Sequence, residues 1–385
     1  MENLKVGIVL NYKNAEKKKD ELMEINSESY LQIANDPRYK QFTIMRKNKL
    51  CVPADVAIGL FLESQGVTVD YITPESISVK RFKKNDLVFV IIYDLLESFH
   101  LSDKTKFLKF KHVLKKSKNV YPPYEYQKFV NNKCHYYKYL DAKNIAVAPT
   151  HCITKYKWNT RDSDSYVNKL LSKIKTNKWE SIITKPVYGQ ESKDFAKFVS
   201  NPECKRKISC TKEVCKSSLF CQKERFKKYL AKNIPKYKSI IIQEYIPGFD
   251  KNNPEIRCYF IDGVYAYSVV TTSHLVETPV QEGGRYRIPK ENWNYLMTFS
   301  KKVMDSLPKL DLPGMYANPI LTRIDIGSGL ESAKLGYFVN EVEFVPSLYI
   351  EDQSFPVVEE IAKSLINVSE IYKSRRGTLP IKVHF

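Results

Sequence analysis

The apolar positions in the first third of the chain form short runs separated by one helical pattern. Strand-sized runs cover residues 4–10, 67–72 and 87–93, and the last of them is apolar throughout. Between the first two, residues 52–65 place apolar side chains at helical spacing and end at Gly66. Buried strands that alternate with helices are typical of a parallel sheet covered on both faces. We therefore expect an open α/β domain.

Two segments interrupt this regular pattern. Residues 11–49 are polar, rich in lysine and without a period, so we expect an insertion or a mobile surface helix there. Further on, Pro122 and Pro123 break any helix, residues 124–142 resume helical spacing, and residues 145–150 form a short extended segment.

The second half of the chain begins with a basic block that has strand-like runs at 181–186 and 239–246. Two further strands, 255–261 and 264–271, are joined by Asp262-Gly263, a pair typical of a tight hairpin turn. Two strands that carry acids follow, and residues 357–372 have the pattern of a final helix. We predict four parts. They are an N-terminal α/β domain (residues 1–120), a connecting helix and strand (121–150), a small basic subdomain (151–250) and a C-terminal subdomain (251–385).

The composition places the chain among globular proteins. Its 385 residues are 43% hydrophobic, and no apolar run approaches the roughly 18 residues that cross a bilayer. The first residues carry no small-residue cleavage site, so we expect a cytoplasmic protein without a membrane partner. The net charge of +19 favours an anionic partner. Because the lysines are scattered along the whole chain, we give this charge little weight.

The eight cysteines are irregularly spaced, so we expect free thiols rather than a disulfide framework. Four of them cluster with gaps of five, four and five residues, at Cys204, Cys210, Cys215 and Cys221. An ordinary loop fits these gaps better than a zinc site, which stays open as an alternative.

Acidic side chains alternate with apolar ones on two neighbouring strands near the end of the chain. Glu341 and Glu343 point to the same face of one strand, and Asp325 lies on the strand before it. If the polar turn at 327–334 pairs these strands, three carboxylates lie within a few ångströms of one another. Such hard oxygen ligands suit a Mg²⁺ that carries the phosphates of a nucleotide. The alternative is a set of acids that face solvent.

A second pattern combines a lysine with a glycine loop. Lys185 lies on a strand and is followed by a turn whose backbone N–H groups, at residues 188–192, can surround phosphate oxygens. The spacing matches neither a P-loop nor a Rossmann fingerprint, and a plain turn is the alternative. Later, residues 240–248 form an apolar strand that stops at a hinge. There the carbonyl of Glu244 and the N–H of Ile246 can bind adenine.

Several cationic groups are candidates for binding anions. Glu255, Arg257 and Tyr259 share one face of a strand, where the acid can hold ribose hydroxyls and the guanidinium can hold a phosphate or an oxyanion. Arg285 and Arg287 follow a glycine pair and can hold an anionic acceptor, with a solvated hairpin tip as the alternative. His274 can face the substrate, although a surface histidine or a hydrogen-bonded core histidine is favoured.

The order of these motifs resembles that of the ATP-grasp superfamily. The resemblance covers about residues 125–350 and extends to the N-terminal domain in layout only. It rests on a lysine-bearing helix before Ala148-Pro149-Thr150, then Lys185-Pro186 with its glycine loop, Gln243-Glu244-Tyr245-Ile246, Glu255-Ile256-Arg257, Asp325 and Asn340-Glu341-Val342-Glu343. It implies an α/β fold with an open parallel N-terminal domain, followed by two α+β subdomains that clasp the nucleotide.

Matched by position, the resemblance also implies which residues bind ATP. Lys133 corresponds to the lysine at the α-phosphate and Lys185 to the second nucleotide lysine. The loop over the phosphates corresponds to Gly189, Gln190, Glu191 and Ser192. The adenine hinge corresponds to Gln243, Glu244 and Ile246, and either Asp250 or Glu255 holds the ribose.

The resemblance further places Mg²⁺ at Asp325, Glu341 and Glu343. Here the chain departs from the family, whose last ligand is usually Asn. The extra negative charge of Glu343 raises the prospect of a changed metal preference, with Mn²⁺ as the alternative ion, or of reduced activity.

The implied activity is that of an ATP- and Mg²⁺-dependent ligase. Such an enzyme joins a small-molecule or peptide carboxylate to an amine or thiol through an acylphosphate, as in the D-alanine:D-alanine ligase and glutathione synthetase groups. Arg257 and Lys185 would neutralise the transferred phosphoryl group, and no nucleophilic side chain is needed.

Two other functions stay open at this stage. One is a kinase similar to the inositol trisphosphate 5/6-kinases, whose Pro-Ser pair matches Pro346 and Ser347 and places Ser347 at the substrate. The other is a catalytically silent protein that binds a nucleotide or, less expected, a nucleic acid.

Overall fold

The computed structural model describes most of the chain. The described residues are 4–10, 22–25, 35–46, 48–90, 96, 99, 102–158, 162–188, 194–199, 223–237, 239–247, 254–271, 276–277, 290–312, 314–348, 355–375 and 379–385. The chain divides into two compact units. The first contains Met1–Lys128, Pro254–Ile326 and Glu341–Phe385, and the second contains Phe129–Asn253 and Gly327–Asn340.

The described residues form the following strands and helices in chain order. The strands are β1 (Lys5–Val9), β2 (Leu22–Glu24), β3 (Ile44–Arg46), β4 (Lys49–Pro53), β5 (Thr68–Ile72), β6 (Leu87–Phe89), β7 (Val120–Tyr121), β8 (Thr150–Thr154), β9 (Ser181–Pro186), β10 (Ala196–Val199), β11 (Ser239–Glu244), β12 (Glu255–Ile261), β13 (Val264–Thr271), β14 (Val276–Glu277), β15 (Lys309–Leu312), β16 (Met315–Ala317), β17 (Leu321–Gly327), β18 (Phe338–Glu343) and β19 (Lys382–His384). The helices are α1 (Ala54–Ser64), α2 (Val79–Phe82), α3 (Lys104–Lys116), α4 (Tyr124–Val130), α5 (Lys133–Asp141), α6 (Ser163–Thr176), α7 (Lys223–Tyr237), α8 (Lys290–Ser306) and α9 (Val357–Ser374).

The first unit begins with the parallel sheet that the apolar runs predict. Its strand order is β5-β1-β6-β7, and neighbouring strands are parallel. Side chains of β1 and β6 are buried on both faces of the sheet. Helix α1 buries most of its side chains and packs against α9. The expected open α/β domain is confirmed.

The polar segment before α1 differs from the expected surface helix. The described part of the segment contains one turn of 3-10 helix at Lys40–Phe42 and the strands β2 and β3, which pair with β4 on either side in an antiparallel sheet. Of the two alternatives for residues 11–49, the surface helix is therefore wrong for the described part, and the insertion stays a prediction. Strands of three residues have too short a pattern to detect locally, and here the pairing with β4 stabilises them.

The larger sheet of the first unit has the order β14-β13-β12-β17-β18. Strands β12 and β17 are antiparallel, with Arg257 opposite Asp325 and Tyr259 opposite Arg323. The predicted hairpin between β12 and β13 is confirmed, since Asp262 (φ 51°) and Gly263 (φ 75°) both have the positive φ of a type I′ turn. A smaller antiparallel sheet has the order β16-β15-β19.

The second unit contains one antiparallel sheet, with the order β10-β9-β11-β8. Helix α7 packs against β11 and against α6. A disulfide joins Cys134, at the start of α5, to Cys152 in β8. The expectation of free thiols is therefore wrong for this pair, because folding brings together two residues that lie 18 positions apart. Cys51 and Cys258 are buried thiols, and the cluster from Cys204 to Cys221 lies outside the described residues.

Two other expectations concern the whole chain. The four-part division of the sequence stays a prediction beside the two units that the contacts define. Among the helices of the described part, none is both long and apolar enough to cross a membrane.

The hairpin turn provides a test of this fold. A Cβ atom added at Gly263 would clash with the side chain of Asn318, whereas one added at Gly66 (φ 81°) would meet nothing within 4 Å. We expect Gly66→Ala to lower the free energy of unfolding by about 1 kcal/mol through its positive φ alone. Gly263→Ala should cost at least about 1 kcal/mol more, because Asn318 must move. Urea unfolding of both variants measures the difference, and equal losses would contradict the described turn.

Candidate functional site

Three carboxylates meet on the larger sheet of the first unit. Asp325 on β17 and Glu341 and Glu343 on β18 each offer an oxygen atom, and these atoms lie within 4.8 Å of one another. Asp325 is buried, whereas the two glutamates are half-buried. The alternation of side chains along a strand explains why Glu341 and Glu343 share a face. The structure thus brings together the three acids that the sequence pattern predicts to lie close to one another.

A buried guanidinium binds two of these acids. Arg323 Nε lies 2.6 Å from Asp325 Oδ1, and Arg323 Nη2 lies 2.7 Å from Asp325 Oδ2. The same Nη2 atom lies 3.0 Å from Glu343 Oε1. Burial would lower the pKa of Arg323, but the charges of Asp325 and Glu343 outweigh burial and hold that pKa well above its usual value. The guanidinium therefore keeps its proton.

The sequence analysis did not select Arg323. Its signal is its position two residues before Asp325 on the same strand, which places both side chains on one face. This position points to Arg323 as a site residue only when Asp325 is already known to belong to the site.

A second guanidinium lies on the neighbouring strand. Arg257 Nε is 3.1 Å from Glu255 Oε1 and 3.9 Å from Asp325 Oδ2. Thr271 Oγ1 donates to the same Glu255 oxygen at 3.2 Å. Glu255 is buried and contacts both Arg257 and Thr271. Its assignment to the ribose stays a prediction.

The charges of this face suit a divalent cation. Glu255 joins the three clustered acids, and the four carboxylates face two guanidiniums, so the groups joined by these contacts have an excess of two negative charges. Two oxygens on opposite sides of a Mg²⁺ are about 4.2 Å apart, since each bond is about 2.1 Å long. The observed limit of 4.8 Å is only slightly wider. The residues therefore fit a Mg²⁺ or Mn²⁺ ion held by Asp325, Glu341 and Glu343.

Two stacked tyrosines hold the segment that follows these acids. The Tyr259 hydroxyl donates to the Ser347 carbonyl at 2.7 Å, and the Tyr267 hydroxyl donates to the Leu348 carbonyl at 2.8 Å. The two rings stack with their centroids 4.2 Å apart. The backbone at Ser347, a predicted substrate residue, is thereby fixed to the same sheet as the carboxylates.

In the second unit, the two predicted nucleotide lysines lie near one helix. Lys185 Nζ lies 3.2 Å from the Tyr137 hydroxyl, which in turn donates to the carbonyl of Asn340. Lys133 is the first residue of α5, and its N–H donates to the Val187 carbonyl at 3.4 Å. Lys133 and Tyr137 are four residues apart and share a face of α5. Lys133 therefore lies at the N-terminal end of α5, and Lys185 contacts a residue in the middle of the same helix.

The predicted adenine hinge follows β11 in the same unit. The N–H of Glu244 donates to the Pro149 carbonyl, and Gln243 Nε2 donates to Thr150 Oγ1, both at 2.9 Å. Within the described residues, no hydrogen bond engages the N–H of Ile246. Burial and the nearby charges of Glu331 and Glu180 raise the pKa of Glu244.

An apolar cluster lies beside this hinge. The side chain of Ile246 packs with a set of apolar residues that also includes Ala148, Leu330 and Phe338. An apolar wall next to an available backbone N–H is the environment that a purine base requires.

Several predicted site residues cannot be placed. The phosphate loop, one ribose candidate and three substrate candidates lie outside the described residues, namely Gly189, Gln190, Glu191, Ser192, Asp250, His274, Arg285 and Arg287. Their roles stay predictions from the sequence.

Solved structures with related architecture include three that span nearly the whole fold. The crystal structure of D-cycloserine synthetase DcsG has 15% identity and a TM-score of 0.58, and the match covers 95% of this chain and 99% of that one. A D-alanine–D-alanine ligase from Bacillus anthracis, solved with ATP, has 11% identity, a TM-score of 0.53 and coverage of 97% and 99%. A RimK domain protein ATP-grasp from Sphaerobacter thermophilus has 9% identity, a TM-score of 0.52 and coverage of 81% and 94%.

Sequence comparisons add nothing to these likenesses, since neither a protein-family model nor a curated protein matches the chain. At identities of 15% or less, the structural likenesses establish the fold alone.

The acid cluster predicts direct metal binding. We expect Asp325→Asn with Glu341→Gln to weaken the binding of Mn²⁺ at least tenfold, because two of three carboxylate ligands are lost. Electron paramagnetic resonance of free Mn²⁺ measures this affinity in the absence of nucleotide. The matched control is Asp305→Asn with Glu224→Gln, which removes two exposed acids elsewhere.

A single variant separates metal binding from folding. Glu341→Gln leaves the ion pairs of Arg323 with Asp325 and Glu343 in place and should still weaken Mn²⁺ binding. Unchanged Mn²⁺ affinity in both site variants would show that the metal binds elsewhere.

Proposed function

Because the chain has the ATP-grasp fold, we propose that it is an ATP-dependent ligase that activates a carboxylate as an acylphosphate and joins it to an amine. The observation that carries this proposal is the face formed by Asp325, Glu341 and Glu343 together with Arg257 and Arg323. Phosphoryl transfer to a carboxylate requires charge neutralisation and positioning rather than a nucleophilic side chain. This face supplies both.

The carboxylates of this face would hold Mg²⁺. The ion, when bound, neutralises the phosphate charges of ATP. Arg323 holds Asp325 and Glu343 in fixed positions, so little reorganisation is needed on binding. Glu343 differs from the family's usual Asn, and its ion pair with Arg323 compensates the extra charge. This compensation favours an active site over a catalytically silent one.

Arg257 is the better candidate of the two guanidiniums for contact with the reacting groups. Its side chain is 21% exposed, against 6% for Arg323. A guanidinium there can stabilise the charge that develops on the transferred phosphoryl group or on the carboxylate.

We also assign nucleotide-binding roles to residues of the second unit. We assign Lys133 and Lys185 to the phosphates, since Lys133 begins α5 and Lys185 Nζ contacts the Tyr137 hydroxyl of the same helix. The N–H of Ile246 and the carbonyl of Glu244 would pair with adenine, against the apolar cluster around Ile246.

For the substrates, we propose an amino acid or a similar small carboxylate and an amine. This assignment is supported by the likeness to a D-alanine–D-alanine ligase and to a D-cycloserine synthetase. A thiol acceptor stays within the same chemistry. The kinase alternative is less favoured, since the acids Glu255 and Asp325 lie 3.1 Å and 3.9 Å from Arg257 Nε, whereas a polyphosphate acceptor needs several cations.

The experiment that tests the proposal is an assay of ADP release from Mg²⁺-ATP. The protein is offered pools of L-amino acids, D-amino acids, dipeptides and inositol phosphates, with each pool also tested for thermal stabilisation. The proposal predicts release with a pool that contains both a carboxylate and an amine. Release with inositol phosphates alone would support the kinase, and stabilisation by ATP without release from any pool would contradict catalysis on these substrates.

A lysine variant tests the phosphate assignment. We expect Lys185→Ala to reduce ADP release about 100-fold, the scale of losing one preorganised charge in a phosphoryl-transfer site. Tyr137→Phe should give a smaller loss, because it removes the hydroxyl that positions Lys185. Lys173→Ala is the control, since that lysine contacts His151 on the surface. Normal ADP release by Lys185→Ala would refute the assignment.

A further inference from the structure

A pocket of about 530 Å³ lies at the amino ends of two parallel strands in the first unit. Lys5 and Thr68, the first residues of β1 and β5, both line it. In open α/β sheets, ligand sites usually lie outside the carboxyl ends of the strands. The residues assigned to ATP and to the metal do not line this pocket, and the inference below does not depend on the proposed ligase activity.

The wall of the pocket contains one neutralised acid. Arg81 Nη2 lies 2.6 Å from Asp70 Oδ1, and Asn85 Nδ2 lies 3.0 Å from Asp70 Oδ2. Burial would raise the pKa of Asp70, but these hydrogen bonds and the charges of Arg81 and Lys5 outweigh it and lower the pKa. Asp70 therefore stays ionised, and its charge is already balanced by Arg81.

The remaining charged groups of the pocket are cationic. Lys5, Lys80 and Lys84 line it, and Asp70 is the only acid among its described lining residues. Lys80 and Lys84 are exposed, and within the described part of the chain their ammonium groups make no hydrogen bond or ion pair. The pocket thus has an excess of three positive charges, which favours an anion.

Hydroxyl groups complete the lining. Ser78 accepts a hydrogen bond from the N–H of Arg81, so its own O–H can donate to a ligand. Thr68 also lines the pocket, as does Ser76, whose own O–H donates to the Thr73 carbonyl. Cations with hydroxyl donors and few apolar side chains suit phosphate oxygens rather than an apolar ligand.

We propose that this pocket is an accessory binding site for a small phosphorylated molecule with at least two negative charges. The volume exceeds what a single inorganic phosphate fills and lies within the range of about 300–1,000 Å³ that is typical of small-molecule sites. A nucleic-acid strand would need an extended basic track, whereas the three lysines here line a single pocket.

Calorimetric titration with pyrophosphate tests the site. The titration uses the Lys185→Ala variant, so that the proposed nucleotide site contributes less to the signal. We expect Lys80→Ala with Lys84→Ala, added to that variant, to weaken pyrophosphate binding roughly tenfold. The matched control is Lys83→Ala with Lys104→Ala, which removes two exposed lysines outside the pocket. This control should change the affinity less than about twofold at physiological ionic strength.

Three outcomes would overturn the site. They are equal weakening by the two pairs of substitutions, no weakening by either pair, and no pyrophosphate binding by the Lys185→Ala protein. None of these results bears on ADP release, so failure of this site is distinguishable from failure of the proposed ligase activity.

Discussion

The buried ion pairs of Arg323 are the interaction on which the candidate site depends. A guanidinium and carboxylates removed from water lose several kcal/mol of hydration each, and only close pairing compensates this cost. Arg323 meets the condition through two contacts to Asp325 and one to Glu343. Since these partners lie on neighbouring strands, the ion pairs hold β17 and β18 together where the acids cluster.

The need to pair buried charges closely also explains how three acids can lie within one small volume. Without a cation, the negative charges of Asp325, Glu341 and Glu343 would repel one another. Arg323 compensates part of this charge from inside the sheet, and Arg257 approaches from β12. The remaining negative charge is what a divalent ion would neutralise. A face built on strands and braced in this way is rigid, as catalytic positioning requires.

Much of this site could be predicted from the sequence because it depends on local patterns, such as the alternation of side chains along a strand. Alternation along β18 alone places Glu341 and Glu343 on one face, and the Asp262-Gly263 pair alone indicates the hairpin. The role of Arg323 was missed because one arginine on a strand gives no local sign that it is buried and paired with acids, a fact that only its contacts with Asp325 and Glu343 show. The disulfide between Cys134 and Cys152 was missed because it joins separate segments of the chain, and the β2-β4-β3 sheet was missed because strands of three residues have too short a pattern.

If the protein activates a carboxylate as an acylphosphate, an oxygen isotope placed on that carboxylate passes to inorganic phosphate. The protein would be incubated with Mg²⁺-ATP and a substrate pool whose carboxylates carry ¹⁸O, and the released phosphate would be examined by ³¹P NMR. A ligase that passes through an acylphosphate transfers one carboxylate oxygen to the phosphate, so we predict ¹⁸O-labelled inorganic phosphate together with ADP. ADP formed with unlabelled phosphate, or with the phosphoryl group retained on a hydroxyl of the product, would contradict the account.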